Sequence, residues 1–352
     1  MKNFEKHLIR EDASVIEAMK RLNDVPENLT LFVLDAAGRM VGTVTDGDIR
    51  RGLIRGLPLT AAIRQFMFSK FSSINGQKYD VREIRSIRRK GIQLLPVLNG
   101  DRQVVAVHDL KKHRSILPVE CMIMAGGRGE RLRPLTDAVP KPLLPIGDKP
   151  IIEHSLEWLV DYGIERTYIG IGYLGQQIVD HLGDGSSRGM KIQYVWETEP
   201  LGTAGALGLV DRFQSEYILL TNGDLFTDAD LEDLYLRVID QDAAMGIASV
   251  PYSVTIPYAI LDEEENRVVG FKEKPRYTRH ANAGIYLLKR DCIRMVPRNS
   301  FFNVTDLLQN LIDAREKVIH NPIIGYWVDI GRHEDYQTAR DIAKHLDNGN
   351  HR

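Results

Sequence analysis

Along residues 8–117 the chain switches between helical and strand-like spacing of its apolar positions, and the sequence of switches occurs twice. Val15, Ala18, Met19 and Leu22 fall at helical spacing behind Ser14, a residue able to cap a helix. An apolar run over 31–34, a turn at Ala36-Ala37-Gly38 and a second run over 40–44 predict a strand pair, and a helix is expected to open at Ile49. In the more divergent second copy, Asp80 precedes a helix over 81–90, and strands over 94–98 and 103–107 flank the turn Asn99-Gly100. Repeats of this kind pack together to close a shared core.

The polar run Lys111-Lys112-His113-Arg114 and then Pro118 mark a boundary, so two domains are expected, 1–117 and 118–352. Past it, strands over 119–124, 167–171, 192–196 and 217–220 alternate with helices over 150–159, 175–182 and 203–210. That order predicts an α/β domain with a largely parallel sheet wrapped by helices, after an N-terminal α+β module. Ligands of such sheets gather at the carboxyl ends of strands. Three segments stand at such ends: the glycine loop after residue 124, residues 197–205, and Asp224 after Thr221-Asn222-Gly223.

A length of 352 residues agrees with two cores. With 46 basic against 48 acidic residues the net charge of -2 gives no field that would recruit nucleic acid, so a small anionic ligand is expected. Cys121 and Cys292 lie in apolar sequence without metal-ligand spacing, which argues against a disulfide framework or a zinc site. The first residues, Met-Lys-Asn-Phe-Glu-Lys-His, contain no apolar leader core, and no run approaches the roughly 18 apolar residues that span a bilayer. A cytoplasmic location without a membrane partner is therefore expected.

The densest chemistry lies in residues 122–150. Ala125, Gly126, Gly127 and Gly129 follow a strand and let backbone N–H groups converge on an anion, while Arg128, Arg131, Arg133 and Lys141 surround them with positive charge. A dinucleotide fingerprint needs glycine where Leu132 stands, and a P-loop needs Gly-Lys-Ser/Thr after Gly129; neither pattern is met. The loop is read as a cradle for a nucleoside triphosphate. Asp224 and Asp329 each follow a β-rich run, and two hard oxygen ligands completed by phosphate and water suit Mg²⁺. Each alone also fits a turn or cap residue.

The pattern Gly-Gly-x-Gly-x-Arg-Leu-x-Pro-Leu-Thr followed by Pro-Lys-Pro-Leu-Leu-Pro-Ile closely resembles the sugar-phosphate nucleotidylyltransferases, over about residues 119–340. The resemblance implies a Rossmann-like mixed, mainly parallel sheet of the glycosyltransferase-A kind. It implies that Ala125, Gly126, Gly127 and Gly129 bind the nucleotide, that Arg131 contacts its phosphates, and that Lys141 neutralises charge at the reacting phosphates. Acids placed like Asp224 and Asp329 hold Mg²⁺ in that family. The segment from Glu197 through Gly202 and Thr203 looks like its nucleobase pocket, Thr203 also fitting the N-cap of the helix after it. Around Phe271-Lys272-Glu273-Lys274-Pro275 and Asn282-Ala283-Gly284, Lys274 would pair with the sugar's phosphate, with Glu273, Asn282 and Gly284 at the sugar. Glu130 departs from the family's hydroxyl residue at its position.

Gly42-Thr43-Val44-Thr45-Asp46-Gly47-Asp48, within the paired repeat, resembles the CBS module, which normally comes in tandem. By that resemblance Thr45 and Asp48 hold the ribose of an adenine nucleotide, since a hydroxyl and a carboxylate three residues apart can grip a diol. They equally suit the end of a strand and the cap of the next helix. The second copy has Val107-His108-Asp109 and no matching hydroxyl, so one nucleotide site is expected. CBS modules pair across subunits, which implies a homo-oligomer. The Glu-Pro-Leu-Gly-Thr-Ala-Gly-Ala wording is most similar to enzymes making GDP-sugars. The resulting expectation is an enzyme transferring GMP from GTP to a sugar 1-phosphate, such as glucosamine or mannose 1-phosphate, with release of pyrophosphate and regulation by adenine nucleotide. Uridylyl or thymidylyl transfer to glucose 1-phosphate, and a regulatory protein that binds nucleotide without turnover, are the alternatives.

Overall fold

A computed structural model describes residues 4–76 and 79–349; residues 1–3 of the polar N-terminal run, and 350–352 of the second expected domain, lie outside the described residues. The chain divides into two compact units, Met1–Pro118 with Asp161–Gly163, and Val119–Val160 with Ile164–Arg352.

In the first unit, β1 (Leu8–Arg10), α1 (Val15–Asn23), β2 (Thr30–Leu34) and β3 (Met40–Thr45) are followed by α2 (Asp46–Ile54). Then come β4 (Ile74–Asn75), α3 (Val81–Arg89), β5 (Leu94–Leu98) and β6 (Val104–Asp109). The repeat is visible in topology: β1 runs parallel to β2 and β2 antiparallel to β3, and β4, β5 and β6 are arranged alike. Both hairpins shift register at matching places, between Val33 and Leu34 and between Val97 and Leu98. Phe32 and Met40 from one copy pack with Leu94, Leu98 and Val107 from the other, which closes the shared core.

Ser14 caps α1 by accepting the Glu17 N–H, and Asp80 caps α3 by accepting the Arg82 N–H. Three expectations need correction. Met19 is 41% exposed rather than on the buried face. The last strand of the second copy continues to Asp109. The helix after β3 opens at Asp46, because Thr45 and Asp48 form a capping box that satisfies the first-turn N–H groups three residues earlier than expected.

The second unit starts with β7 (Val119–Met124), the short hairpin β8 (Pro145–Ile146) and β9 (Lys149–Pro150), then α4 (Ile151–Asp161), β10 (Arg166–Ile171), α5 (Gly175–Leu182), β11 (Lys191–Trp196) and β12 (Tyr217–Asn222). After these come β13 (Leu225–Thr227), α6 (Leu231–Asp240), β14 (Met245–Thr255), β15 (Ile260–Glu264), β16 (Arg267–Lys272) and β17 (Arg276–Lys289). The chain closes with α7 (Val304–Asp313), β18 (Val318–Pro322), β19 (Trp327–Asp329) and α8 (His333–Gly349).

Seven strands form one mixed sheet in the order β11-β10-β7-β12-β17-β14-β18. The first four run parallel, β17 runs antiparallel to both neighbours, and β14 is parallel to β18. The fold is thus mixed and mainly parallel, with flanking helices. β7, β10, β11 and β12 therefore present their carboxyl ends at one edge, where the side chains of the following residues can converge.

Met122, Leu220, Tyr286 and Leu288 belong to the main core around the sheet. A second core joins Leu132, Ile146, Phe226, Val328, Ile330 and Ala339, so the turn after the glycine loop shares one support with β13 and β19. The helix expected over 203–210 is absent: a five-residue 3-10 turn, Gly205–Leu209, takes its place. Gly205 and Gly208 lie so close to Ser300 O and Pro297 O that a Cβ would come within 2.8 and 2.9 Å, a backbone approach that a longer helix would not allow. Among the described residues no helix is long and apolar enough to cross a membrane.

Candidate active site

At that carboxyl edge lies a cavity of about 710 Å³. β7 delivers the glycine loop, β10 delivers Gly172 and Tyr173, β11 delivers Glu197, and β12 delivers Gly223 and Asp224. Of the residues singled out in the sequence, Ala125, Gly126, Gly127, Gly129, Arg131, Lys141, Glu197 and Asp224 line it, with Glu130 beside them.

The loop is tied to its neighbours by main-chain bonds. Ala125 N–H donates to Gly170 O at 2.8 Å, and Gly223 N–H donates to Met124 O at 2.8 Å. Gly129 adopts φ of 62°, which a β-carbon disfavours, and its carbonyl accepts from both Leu132 N–H and the Thr136 hydroxyl at 2.9 Å. The 3-10 turn that follows, Glu130–Leu132, buries Leu132 and leaves Arg131 exposed at the cavity. The Arg131 guanidinium lies within 3.3 Å of where a Cβ on Gly331 would be, just past Asp329.

Asp224 and Asp329 are 105 positions apart in sequence (329 minus 224) and adjacent in space. β13 pairs antiparallel with β19 so that Leu225 faces Asp329, and Ile330 N–H donates to Asp224 O at 3.1 Å. Leu225, Phe226 and Ile330 are buried and hold both acids in place. Lys141, 8% exposed, pairs through Nζ with Asp224 Oδ2. Asp224 Oδ1 and Asp329 Oδ1 are buried without a hydrogen-bond partner among the described residues. Burial and then the neighbouring Asp224 raise the Asp329 pKa, against the lowering effect of Lys141 and Arg131. Buried carboxylate oxygens without donors are costly unless a cation completes them. No cluster of three or more His, Cys, Asp or Glu suited to a metal occurs among the described residues. A hard cation at this pair would take its remaining ligands from phosphate and water, which is how Mg²⁺ is ordinarily bound.

Glu197 stands at the opposite wall. Its Oε2 accepts the Leu201 N–H at 3.1 Å, while Oε1 is buried and unpartnered among the described residues. Burial raises its pKa and the Leu201 N–H offsets part of the rise. Oε1 would lie 3.0 Å from a Cβ on Gly126, so the absence of a side chain there makes room for the carboxylate beside the phosphate loop.

Gly202 and Thr203 turn away from the cavity. Gly202, with φ of 77°, approaches Phe302 O and Asn303 Oδ1, where a Cβ would come within 2.8 Å of each. Thr203 does not cap the segment after it; its hydroxyl accepts the Val304 N–H at 2.9 Å, at the start of α7. Replacing Thr203 with Val is expected to lower stability by about 1 kcal/mol with catalytic constants unchanged. A denaturant titration beside steady-state kinetics checks this, and a raised KM for nucleotide with unaltered stability would reverse the assignment.

Asn282 and Gly284 lie next to the end of β12: Asn282 Oδ1 accepts the Gly284 N–H at 3.0 Å, and Gly284 approaches Asn222 Nδ2. Trp327 Nε1 donates to Ala283 O at 2.8 Å, linking this strand to the one that carries Asp329. Glu273 and Lys274 are exposed in the turn between β16 and β17 and do not line the cavity. Sequence reasoning missed Gly172 and Tyr173, although Gly-Tyr-Leu-Gly follows the end of a parallel strand as the other site segments do. The Tyr173 hydroxyl donates to Asp137 O at 3.0 Å, and Arg128 sits over its ring at 6.0 Å. In the first unit, the Thr45 hydroxyl donates to Asp48 Oδ2 at 2.7 Å and Arg51 pairs with Asp48 Oδ1 at 2.6 Å, so both residues satisfy one another as a helix cap.

A nucleotidyl transferase family model matches residues 120–345, well over half of the chain. The chain belongs to the nucleotidyl transferase family. A CBS domain model matches residues 7–55, which places a CBS domain ahead of the nucleotidyl transferase domain. Mannose-1-phosphate guanylyltransferase from Mycobacterium tuberculosis is 33% identical, the match covering 64% of this chain and 65% of that protein. UTP–glucose-1-phosphate uridylyltransferase from Synechocystis is 28% identical over 63% of this chain and 62% of that protein. The chain thus spans less than two thirds of the length of these two relatives. Among solved structures, HddC from Yersinia pseudotuberculosis complexed with GMP-PN is similar with a TM-score of 0.51 and 26% identity, covering 63% of this chain and 98% of that one. The nucleotidyl transferase domain therefore resembles proteins named for different nucleobases.

Proposed function

We propose that the chain is a sugar-1-phosphate nucleotidylyltransferase that transfers GMP from GTP to a sugar 1-phosphate, such as glucosamine or mannose 1-phosphate, and releases pyrophosphate. One observation carries the reading: the cavity sets a cationic glycine loop against Asp224, and Asp224 and the adjacent Asp329 each keep one buried carboxylate oxygen without a partner among the described residues. In the reaction a phosphate oxygen of the sugar attacks the α-phosphorus of GTP in line as the bond to the pyrophosphate oxygen breaks. No covalent enzyme residue is needed, so the protein's task is alignment and charge stabilisation. The glycine-loop N–H groups and Arg131 hold the triphosphate. Lys141, paired with Asp224 beforehand, is placed to share its charge with the reacting phosphates. Asp224 and Asp329 would hold Mg²⁺, which when bound supplies charge that screens the two anions from each other.

Guanine is favoured over other bases by Glu197. Guanine presents adjacent N1–H and N2–H donors, which a carboxylate with a free oxygen can accept; uracil and thymine flank their single N3–H donor with two carbonyl acceptors that repel it. The name of the Mycobacterium relative agrees with guanine, and that of the Synechocystis relative with uracil. Asn282 and Gly284 are assigned to the sugar, and Glu273 and Lys274 to the sugar and its phosphate. Lys274→Ala is expected to raise KM for the sugar 1-phosphate about tenfold, with a smaller change for GTP. Steady-state titration of each substrate at saturating partner measures this, and equal changes for both would remove Lys274 from the sugar side.

Residues 1–117 are assigned as a tandem CBS regulatory module and 118–352 as the catalytic domain. Thr45 and Asp48 are proposed to take the ribose of an adenine nucleotide, the diol exchanging with their mutual hydrogen bond. Homo-oligomerisation through the CBS module belongs to the same reading. Pyrophosphate release from GTP and sugar 1-phosphate, assayed with and without AMP, ATP and EDTA, tests these assignments together.

A further inference from the structure

A second cavity, of about 650 Å³, lies in the nucleotidyl transferase domain at the far end of β12. Its walls come from residues 207–213, which lead into β12, and 290–298, which follow β17; Tyr217 and Lys289 at those strand ends are register partners. Asp224 follows the opposite end of β12, a strand of six residues or roughly 20 Å, so the two cavities are separate.

Arg212, Arg290, Arg294 and Arg298 line the second cavity with only Asp211 and Asp291 to oppose them, which leaves two positive charges in excess (four minus two). Its apolar floor includes the buried Leu207, Phe213 and Val296. Two of the arginines are held by backbone: Arg290 Nη1 donates to Phe213 O at 3.4 Å and to Gln214 O at 3.3 Å, and Arg298 Nε donates to Gly208 O at 3.1 Å. Arg212 makes no hydrogen bond or ion pair among the described residues. The pairs Arg298–Asp211 and Arg294–Asp291 are mostly solvent-exposed, where such pairs contribute little and a stronger anion can displace the acid. Several arginines, part of them pre-positioned, around a concave apolar floor suit bidentate recognition of phosphate.

We propose that this cavity binds a phosphate-bearing anion, and that its occupancy alters the base side of the candidate active site. The first half stands on the cavity alone; the second rests on the function proposed above. One short segment touches both cavities: Glu197 and Pro200 line the first, Leu207 and Gly208 the second. Between them Ala204 and Ala206 are fully buried, Ala204 N–H donates to Phe302 O at 3.0 Å, and Phe302 N–H donates to Leu201 O at 2.9 Å. The Leu201 N–H in turn holds Glu197 Oε2. With Gly205 and Gly208 already against the 297–300 backbone, the segment has little room to absorb a shift locally. An anion that draws Arg298 from Gly208 O therefore acts on the piece of chain that orients Glu197.

The test uses the full chain and the exposed pair Arg212→Ser/Arg294→Ser. Calorimetric titration with GDP, and separately with inorganic pyrophosphate, is expected to show two binding sites in the wild type. The double variant is expected to lose one site, or to bind there at least tenfold more weakly, with an unchanged melting temperature. Lys141→Ala should weaken only the other site. Pyrophosphate bound at the arginine site supports recognition of phosphate alone; GDP bound there without pyrophosphate supports reading of the nucleoside as well. Equal stoichiometry and affinity in wild type and double variant would overturn the site. For the coupling, adding inorganic phosphate or GDP at saturating substrates should change kcat in the wild type and leave it unchanged in the double variant. A wild-type kcat indifferent to a filled second site overturns the coupling alone. Because binding is read without turnover, a failed catalytic reading would leave the stoichiometry result standing.

Discussion

Asp224→Asn is expected to lower kcat on the order of 10³-fold, the scale of removing a principal electrostatic stabiliser from a reaction centre. The substitution keeps the shape of the side chain and removes its charge. Asp224 is placed by its main chain, through Ile330 N–H, and by the buried Leu225 beside it, neither of which depends on the carboxylate. The amide oxygen can still accept from Lys141 Nζ, so the buried lysine is not abandoned. Affinity for Mg²⁺ should fall because one of two carboxylates is lost. Pyrophosphate release, Mg²⁺ titration and thermal melting on the same preparation separate the effects. Wild-type-like release by the folded variant would falsify the metal assignment.

Glu197→Gln is expected to lower kcat/KM for GTP about 10- to 100-fold, and to do so much less for UTP, because a hydrogen bond to a charged group is worth about 1.5–3 kcal/mol. Leu201 N–H fixes one carboxylate oxygen and leaves the other buried beside Gly126. Burial already disfavours the charge, so the site gains most from a ligand that brings two donors. Glutamine keeps one acceptor and turns an NH₂ donor toward the base, which suits the carbonyls of uracil better than the N–H groups of guanine. The ratio of kcat/KM for GTP to that for UTP is the quantity to compare. An unchanged ratio would take Glu197 out of base selection.

The parts of the site that sequence made legible are those governed by local rules. Strand endings at Met124, Trp196 and Asn222 were readable within a residue or two, and parallel strands deliver their following residues to one edge, so the glycine loop, Glu197 and Asp224 could be grouped in advance. The helix expected over 175–182 is present with those bounds, Gly175–Leu182. Asp329 was singled out as an acid after a β-rich run, but its contact with Asp224 was not legible, since it depends on a ladder of two three-residue strands too short to show a period.

Residues 203–210 failed for a packing reason. Thr-Ala-Gly-Ala-Leu-Gly suits a helix locally, yet Gly202, Gly205 and Gly208 serve close approach to the 297–303 backbone, a tertiary demand that outweighs propensity. The reading of Thr203 as the cap of that helix fell with it, because its hydroxyl accepts the first N–H of a helix a hundred residues later. At Thr45 and Asp48 the plainer of two readings, a cap, is what the geometry contains. The arginine-lined cavity could not be read at all: Arg290, Arg294 and Arg298 show helical spacing, but Arg212 and Asp211 join them only through the pairing of β12 with β17.

The most direct measurement is a pyrophosphate-release panel that crosses GTP, UTP, dTTP, CTP and ATP with glucosamine, mannose and glucose 1-phosphates, each with Mg²⁺ and with EDTA. Release is expected to need both a sugar 1-phosphate and Mg²⁺ and to be fastest with GTP. Tight nucleotide binding with no release for any pair would contradict it, and would leave a protein that senses nucleotides without transferring them.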